Sequence, residues 1–213
     1  MEPDCVVQIT TWLEAVLISE IKNICVFASS SDFLDKVYYE TARELGLLIG
    51  EYGYNIVYGG SQKGLMFACA GAVKERGGKI CGIMPKRIAD FGCANPDDCD
   101  EFILTEGMRE RKALLDDKSD AVIALAGGFG TLEELSEMIV QKQLGYCKKP
   151  IIILNTNGFY DKLIEFFEVM ISNNFASKNS RDLYFVAETP LKALEFLKNY
   201  KAVEFGSKYL IQN

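Results

Sequence analysis

Short runs of apolar residues alternate along this chain with longer stretches in which apolar positions recur every three or four residues. The runs predict buried strands of a parallel sheet, which are covered on both faces and so lack a polar side. They fall at Ile24–Phe27, Asn55–Tyr58, Lys79–Met84, Phe102–Thr105, Ala121–Leu125, Ile151–Leu154 and Leu183–Val186. The periodic stretches predict amphipathic helices. One is marked by Leu34, Val37, Tyr38, Ala42, Leu45 and Leu48, and others open after Gly64 and Gly107 or span Thr131–Leu144, Phe159–Ile171 and Pro190–Asn199. Strands alternating with helices imply an α/β protein: a Rossmann-like, doubly wound, mostly parallel sheet of about seven strands with helices on both faces. The pattern fills residues 23–200 as one nucleotide-binding-type domain. Residues 1–22 read as an N-terminal extension, helical over Trp12–Ile21, and residues 201–213 as a tail.

Three strand-to-helix junctions are rich in small residues. After the fifth run come Gly127, Gly128 and Gly130, then Thr131, Glu133 and Glu134 on the first turn of a helix. Glycines let a ligand approach the main chain, and the unpaired N–H groups and positive dipole end of a helix start suit a phosphate. Thr131-x-x-Glu134 also matches a capping box, which would make both residues local helix closures. Neither a dinucleotide fingerprint nor a Walker loop is present, since the third glycine and the Gly-Lys-Ser/Thr are missing. A second glycine turn, Gly59, Gly60 and Gly64, opens the helix after the second strand. The first strand runs into Ser29, Ser30, Ser31 and Asp32, at the edge where open α/β sheets bind ligands, although a serine there can equally cap a helix. Met108, Arg109, Arg111 and Lys112 start a further helix. Cations at a helix start oppose its dipole, which favours an anion close by.

Composition narrows the chemistry. The chain has 213 residues, a formal charge of −7 and no histidine. Ser-His-Asp and Cys-His catalysis and histidine-ligated zinc are therefore excluded. Acid–base chemistry falls to Asp, Glu, Lys, Tyr or Cys. The acidic balance, without basic runs among aromatics, argues against nucleic acid as a partner. Seven cysteines without a CxxC pair fit reduced thiols and a cytoplasmic home, and suggest no metal site. The Trp12–Ile21 run is too short and too charged for a signal peptide or a membrane span.

Met108-x-x-Arg111-Lys112 together with Gly127-Gly128-x-Gly130-Thr131-x-x-Glu134 resembles the LONELY GUY family of phosphoribohydrolases, whose members have often been labelled lysine decarboxylases. Val57-Tyr58-Gly59-Gly60, Gly64-Leu65-Met66, Gly82-Ile83-Met84-Pro85 and Asn157-Gly158-Phe159-Tyr160-Asp161 extend the resemblance over about Ile24 to Pro190. It implies a homodimer that needs no cofactor. Its reaction would be hydrolysis of the N-glycosidic bond of a nucleoside 5′-monophosphate, a cytokinin riboside monophosphate or an AMP-like nucleotide, giving free base and ribose 5-phosphate. Arg111 and Glu134 would be catalytic. Ser30, Ser31, Gly59, Gly60, Gly64, Met108, Lys112, Gly127, Gly128, Gly130 and Thr131 would bind substrate, with a phosphate-type anion between the two glycine turns. Two departures bear on substrate affinity: Ala126 stands where the family has proline, and Ser29 where many members have glycine. A carrier that only holds a nucleotide-like cofactor, as molybdenum-cofactor carriers of similar fold do, is the alternative. The decarboxylase label finds no support in the residues, because nothing marks a lysine for pyridoxal phosphate.

Overall fold

The computed structural model describes residues 21–203. The predicted helix over Trp12–Ile21, apart from Ile21 itself, and the end of the predicted tail fall outside these residues. The elements run β1 (Asn23–Phe27), α1 (Lys36–Glu51), β2 (Asn55–Tyr58), α2 (Gly64–Glu75), β3 (Ile80–Pro85), β4 (Glu101–Thr105), α3 (Met108–Asp117), β5 (Ala121–Ala124), α4 (Phe129–Gln143), β6 (Ile151–Leu154), α5 (Asp161–Ser172), β7 (Phe185–Ala187) and α6 (Pro190–Lys198). Short helical turns fill Lys86–Ile88, Ala89–Cys93, Thr156–Gly158 and Lys178–Leu183.

Seven strands form one sheet in the order β4-β3-β2-β1-β5-β6-β7. Every strand pairing is parallel, as strands linked by helical crossovers require. The order reverses at β1: Ile24 pairs with Ile56 of β2 on one side and with Ala121 of β5 on the other. That reversal opens a crevice at the C-terminal ends of β1 and β5, the place where sheets of this kind bind ligands.

The alternation of β1 explains why its sequence is apolar throughout. Ile24 and Val26 enter the core shared with α1, α2 and α6, while Cys25 and Phe27 enter the core shared with α3, α4 and α5. With both faces covered, no position along the strand can be polar without burying an unpaired group. Helices α1 and α2 cross closely because Gly46 and Gly50 face α2. A Cβ on Gly46 would lie 2.2 Å from the Cys69 carbonyl oxygen, and one on Gly50 would lie 2.6 Å from the Arg76 Cβ.

Three expectations need correction. Helix α4 begins at Phe129 rather than Thr131, so Gly130 is helical. Leu183 ends a short 3-10 turn, and β7 starts at Phe185. The sequence also reads as a solvated loop over Asp90–Glu101, which is acidic and contains Pro96, and there too the structure differs. This stretch folds back on the second glycine turn, with Asn95 N–H donating to the Gly60 carbonyl at 3.1 Å and Gln62 N–H to the Cys93 carbonyl at 2.9 Å. Asn95 is buried there despite the charges around it in sequence.

Candidate active site

Four loops meet above the C-terminal ends of β1, β2, β4 and β5. Helix α3 starts at Met108 after the N-cap Gly107 and carries Arg111 on its inner side. Arg111 is buried, at 7% exposure, and so is Glu134 of α4, at 6%. The Arg111 Nη1 donates to Glu134 Oε1 at 2.5 Å, and its Nε donates to the Ile83 carbonyl at 3.2 Å. Gly59 makes this reach possible, because a Cβ there would stand 2.5 Å from the Arg111 Nη2. One function of the second glycine turn is thus to leave room for a guanidinium.

Burial raises the Glu134 pKa above the ordinary value of 4.5, and the charge and hydrogen bond of Arg111 pull it back down. Two opposed effects of this kind place a carboxylate where it can be ionised yet remain basic. Cys25 lies beneath the pair, but complete burial pushes its thiol far up, and a thiol that does not ionise is a poor nucleophile.

Helix α4 opens at the N-cap Gly128, with no side chain capping it. The capping-box reading of Thr131 and Glu134 therefore fails. Thr131 sits one turn inside the expected N-cap position, and Glu134 turns to Arg111 instead of back to the helix start. The first helical bond in this turn is Leu132 N–H to the Gly128 carbonyl, at 3.0 Å. The N–H groups of Phe129, Gly130 and Thr131 have no acceptor among the described residues. A Cβ on Gly127 would overlap the Thr131 side chain, 2.1 Å from its Oγ1, whereas a Cβ on Gly128 or Gly130 would meet nothing within 4 Å. Packing thus explains Gly127, while Gly128 and Gly130 border open space beside three free donors. That is the arrangement of an anion-binding helix start.

The other expected binding residues are distributed as follows. Gly64 has φ +62°, and a Cβ there would lie 2.6 Å from the Ser29 carbonyl oxygen, so its glycine character serves the close approach of α2 to the serine loop. Gly60 uses its carbonyl to hold Asn95. Ser30 is exposed at the mouth of the crevice. The Ser31 hydroxyl accepts from Phe33 N–H at 3.2 Å, and its N–H donates to Ser29 Oγ at 3.1 Å, so the loop is braced by its own hydroxyls. No serine caps α1, whose N-cap is Asp35. Met108 is exposed at the start of α3. Lys112 is tied to Glu133 and, at 2.9 Å, to Glu137. The cations that oppose the α3 dipole are therefore balanced largely by carboxylates of α4.

Two residues of the site's frame were not singled out from the sequence as site residues. The buried Tyr160 hydroxyl donates to the Leu125 carbonyl at 2.7 Å and fixes the chain just before the Ala126–Gly128 turn. The Asp32 carboxylate accepts from Gly64 N–H at 2.9 Å. Tyr160 lies within the Asn157–Asp161 motif that had been noted, but its partner is 35 positions away and no spacing rule reveals it.

Fold and site define a class: Rossmann-like α/β proteins with an uncapped glycine turn and a buried arginine–glutamate pair at the topological switch point. The family described as "Possible lysine decarboxylase" matches residues 66–197. LOG2 of Arabidopsis thaliana is 36% identical over 197 residues, 92% of each chain, and LOG of Oryza sativa subsp. japonica is 37% identical over 187 residues, 86% of this chain and 77% of the other. Both bear the name cytokinin riboside 5′-monophosphate phosphoribohydrolase. The chain belongs to this LOG family. Among solved structures, the molybdenum cofactor binding protein of Rippkaea orientalis superposes with a TM-score of 0.65 at 24% identity, covering 84% of this chain and 97% of its own. The molybdenum cofactor carrier protein of Chlamydomonas reinhardtii gives 0.64 at 23%, with the same coverage. At that identity the likeness is one of fold.

Proposed function

We propose that this protein hydrolyses the N-glycosidic bond of a nucleoside 5′-monophosphate, releasing a free base and ribose 5-phosphate. The observation that carries the reading is the buried Arg111–Glu134 pair beside an uncapped helix start in one crevice. The 5′-phosphate sits on the free N–H groups of Phe129, Gly130 and Thr131, close to Gly128 and Gly130. As the C1′–N bond breaks, its electron pair leaves with the base and positive charge builds on the ribose, as in glycoside hydrolysis. The Glu134 carboxylate stabilises that charge and orients a water whose oxygen bonds to C1′. One proton of that water ends on the base and the other stays as the new hydroxyl. Arg111 keeps Glu134 ionised in a site whose burial would otherwise neutralise it. Lys112 positions α4 through Glu133 and Glu137 rather than contacting substrate. A cofactor carrier has no use for a buried carboxylate facing an arginine, and no residue observed here favours that reading.

The protein works as a homodimer in the cytoplasm. Seven of the twelve residues of α5 are large and apolar, but only Ile171 is buried, and Phe166 and Val169 are more than half exposed. A second copy of the chain would cover such a face, and two-fold pairs are the commonest closed assembly. No described helix is long and apolar enough to cross a membrane.

The test compares adenosine monophosphate with adenosine, using the wild type and Glu134→Gln, with free base and ribose 5-phosphate as readouts. Base release should require the 5′-phosphate. Glu134→Gln keeps the shape but removes the charge, and should lower turnover by ~10²–10³-fold with little change in melting temperature. Equal turnover of nucleoside and nucleotide, or an active Gln variant, would overturn the assignment.

A further inference from the structure

The pairing of β1 with β5 slips by one rung just where the crevice begins. The two strands run in register from Ile24 opposite Ala121 to Phe27 opposite Ala124. Leu125 N–H then donates to the Phe27 carbonyl at 2.8 Å. In an evenly spaced parallel ladder the next bond would run from Ser29 N–H to the Leu125 carbonyl. Ser29 N–H donates instead to the Ala126 carbonyl, one residue further along, at 3.2 Å. The Leu125 carbonyl is taken by the buried Tyr160 hydroxyl at 2.7 Å. The β5 chain thus places one residue more than β1 across this rung, a bulge in a parallel pair. A bulge bends the chain that carries it, and this one leads straight into the uncapped start of α4.

Gly127 and Gly128 come next and offer no side chain to hold the bend, so the bonds at Leu125 and Ala126 carry the restraint. Tyr160 is itself braced from the sheet. Its N–H donates to Asn155 Oδ1 at 2.7 Å, Asn155 Nδ2 donates to Asp161 Oδ1 at 2.7 Å, and Asn155 N–H donates to the Ala187 carbonyl at 2.8 Å, at the end of β7. The Tyr160 ring packs edge-on to Phe159, with 4.9 Å between centroids. Burial pushes its phenol well above the ordinary value, so the group stays a neutral donor. Resting on the phosphoribohydrolase reading, we infer that Tyr160 is a positioning residue: by holding the Leu125 carbonyl it keeps the bulge in β5, and so aims the free N–H groups of Phe129, Gly130 and Thr131 at the substrate's phosphate. Without the hydroxyl, a buried carbonyl loses its partner, and Ser29 N–H is the replacement one rung away. Taking it restores the regular ladder and draws the α4 turn back by one residue. The reacting end is spared, because Glu134 is held by Arg111, and Arg111 by the Ile83 carbonyl. The loss therefore falls on phosphate binding, which is the same in ground state and transition state, and appears in KM rather than kcat.

The test is Tyr160→Phe, which keeps the ring and its packing but removes the hydroxyl. Base release from adenosine monophosphate gives kcat and KM, and calorimetry gives the affinity for inorganic phosphate. The expected result is a KM raised by about tenfold, the worth of one well-placed hydrogen bond, with kcat unchanged and phosphate affinity lowered by the same factor. Tyr200→Phe is the control. It removes another tyrosine hydroxyl from a backbone carbonyl, that of Lys148 at 2.8 Å, at the opposite edge of the sheet, and should leave KM and phosphate affinity as they are. Asn155→Ala loosens the base of the strut without touching the ring, and should shift KM in the same direction as Tyr160→Phe. It carries the test if Tyr160→Phe does not fold. An unchanged KM and phosphate affinity in both strut variants would overturn the inference. So would a fall in kcat at constant KM, or a rise in KM that Tyr200→Phe reproduces. The function is judged separately, by whether the wild type releases base from the monophosphate.

Discussion

The proposed chemistry rests on two side chains whose environments oppose each other. Removing Arg111 should therefore do more than remove a contact. Burial raises the Glu134 pKa and Arg111 is the main influence pulling it down, so Arg111→Met should move the acid limb of the pH–rate profile to higher pH. It should also destabilise the fold by about 3–5 kcal/mol near neutrality, since it strands a buried carboxylate. The sign of the pH dependence follows. A carboxyl group whose pKa is raised in the folded state favours folding at low pH, and that contribution is lost as the pH climbs through the raised value. The stability gap between Arg111→Met and the wild type should thus shrink on acidification, as read by denaturant melts across pH. A gap that widens toward acid would mean that Glu134 is not the group left uncompensated.

At the scale of elements, the strands were legible because a strand buried on both faces must be apolar end to end, and all seven runs correspond to strands within a residue or two. Helix starts were less legible. Gly128 to Gly130 read as one turn, yet Gly130 is helical, and a capping-box spacing occurred by coincidence one turn inside the helix. The docking of Asn95 on Gly60 was hidden by the acidic residues around it, because local composition does not record a long-range partner. Arg111 and Glu134 were singled out through resemblance to a family. Their direct contact spans 23 positions and two helices and could not be read from spacing. The closeness of α1 to α2 was also invisible. Gly46 lies between Leu45 and Leu48 in a periodic helical stretch, where alanine is ordinarily favoured by about 1 kcal/mol. In the fold a Cβ there meets a backbone carbonyl at 2.2 Å, which has no freedom to move aside. Gly46→Ala should therefore destabilise by about 1–3 kcal/mol, an overpacking cost that exceeds the propensity gain, as measured by urea unfolding. A stabilised variant would show that the two helices can part.

At the scale of the molecule, the dimer proposed from the apolar face of α5 can be measured directly. Light scattering at micromolar concentration should give twice the chain mass, and Phe166→Glu should return the mass of one chain with the far-ultraviolet dichroism unchanged. A monomeric wild type would leave that face without its proposed cover.

The reversal of strand order at β1 also has a consequence for how the molecule is made. The ribosome delivers β1 to β4 first, and these strands alone can form a half-sheet that leaves the β1 edge bare. Ile24 to Phe27 then wait for Ala121 to Ala124, nearly a hundred positions downstream, before their second row of backbone partners exists. During that interval an apolar strand edge at the centre of the future sheet is open to any other extended chain. The arrival of β5 therefore closes this hazard and brings the α4 turn beside Ser29 in a single event, so a nascent chain acquires its site at the moment it stops being sticky.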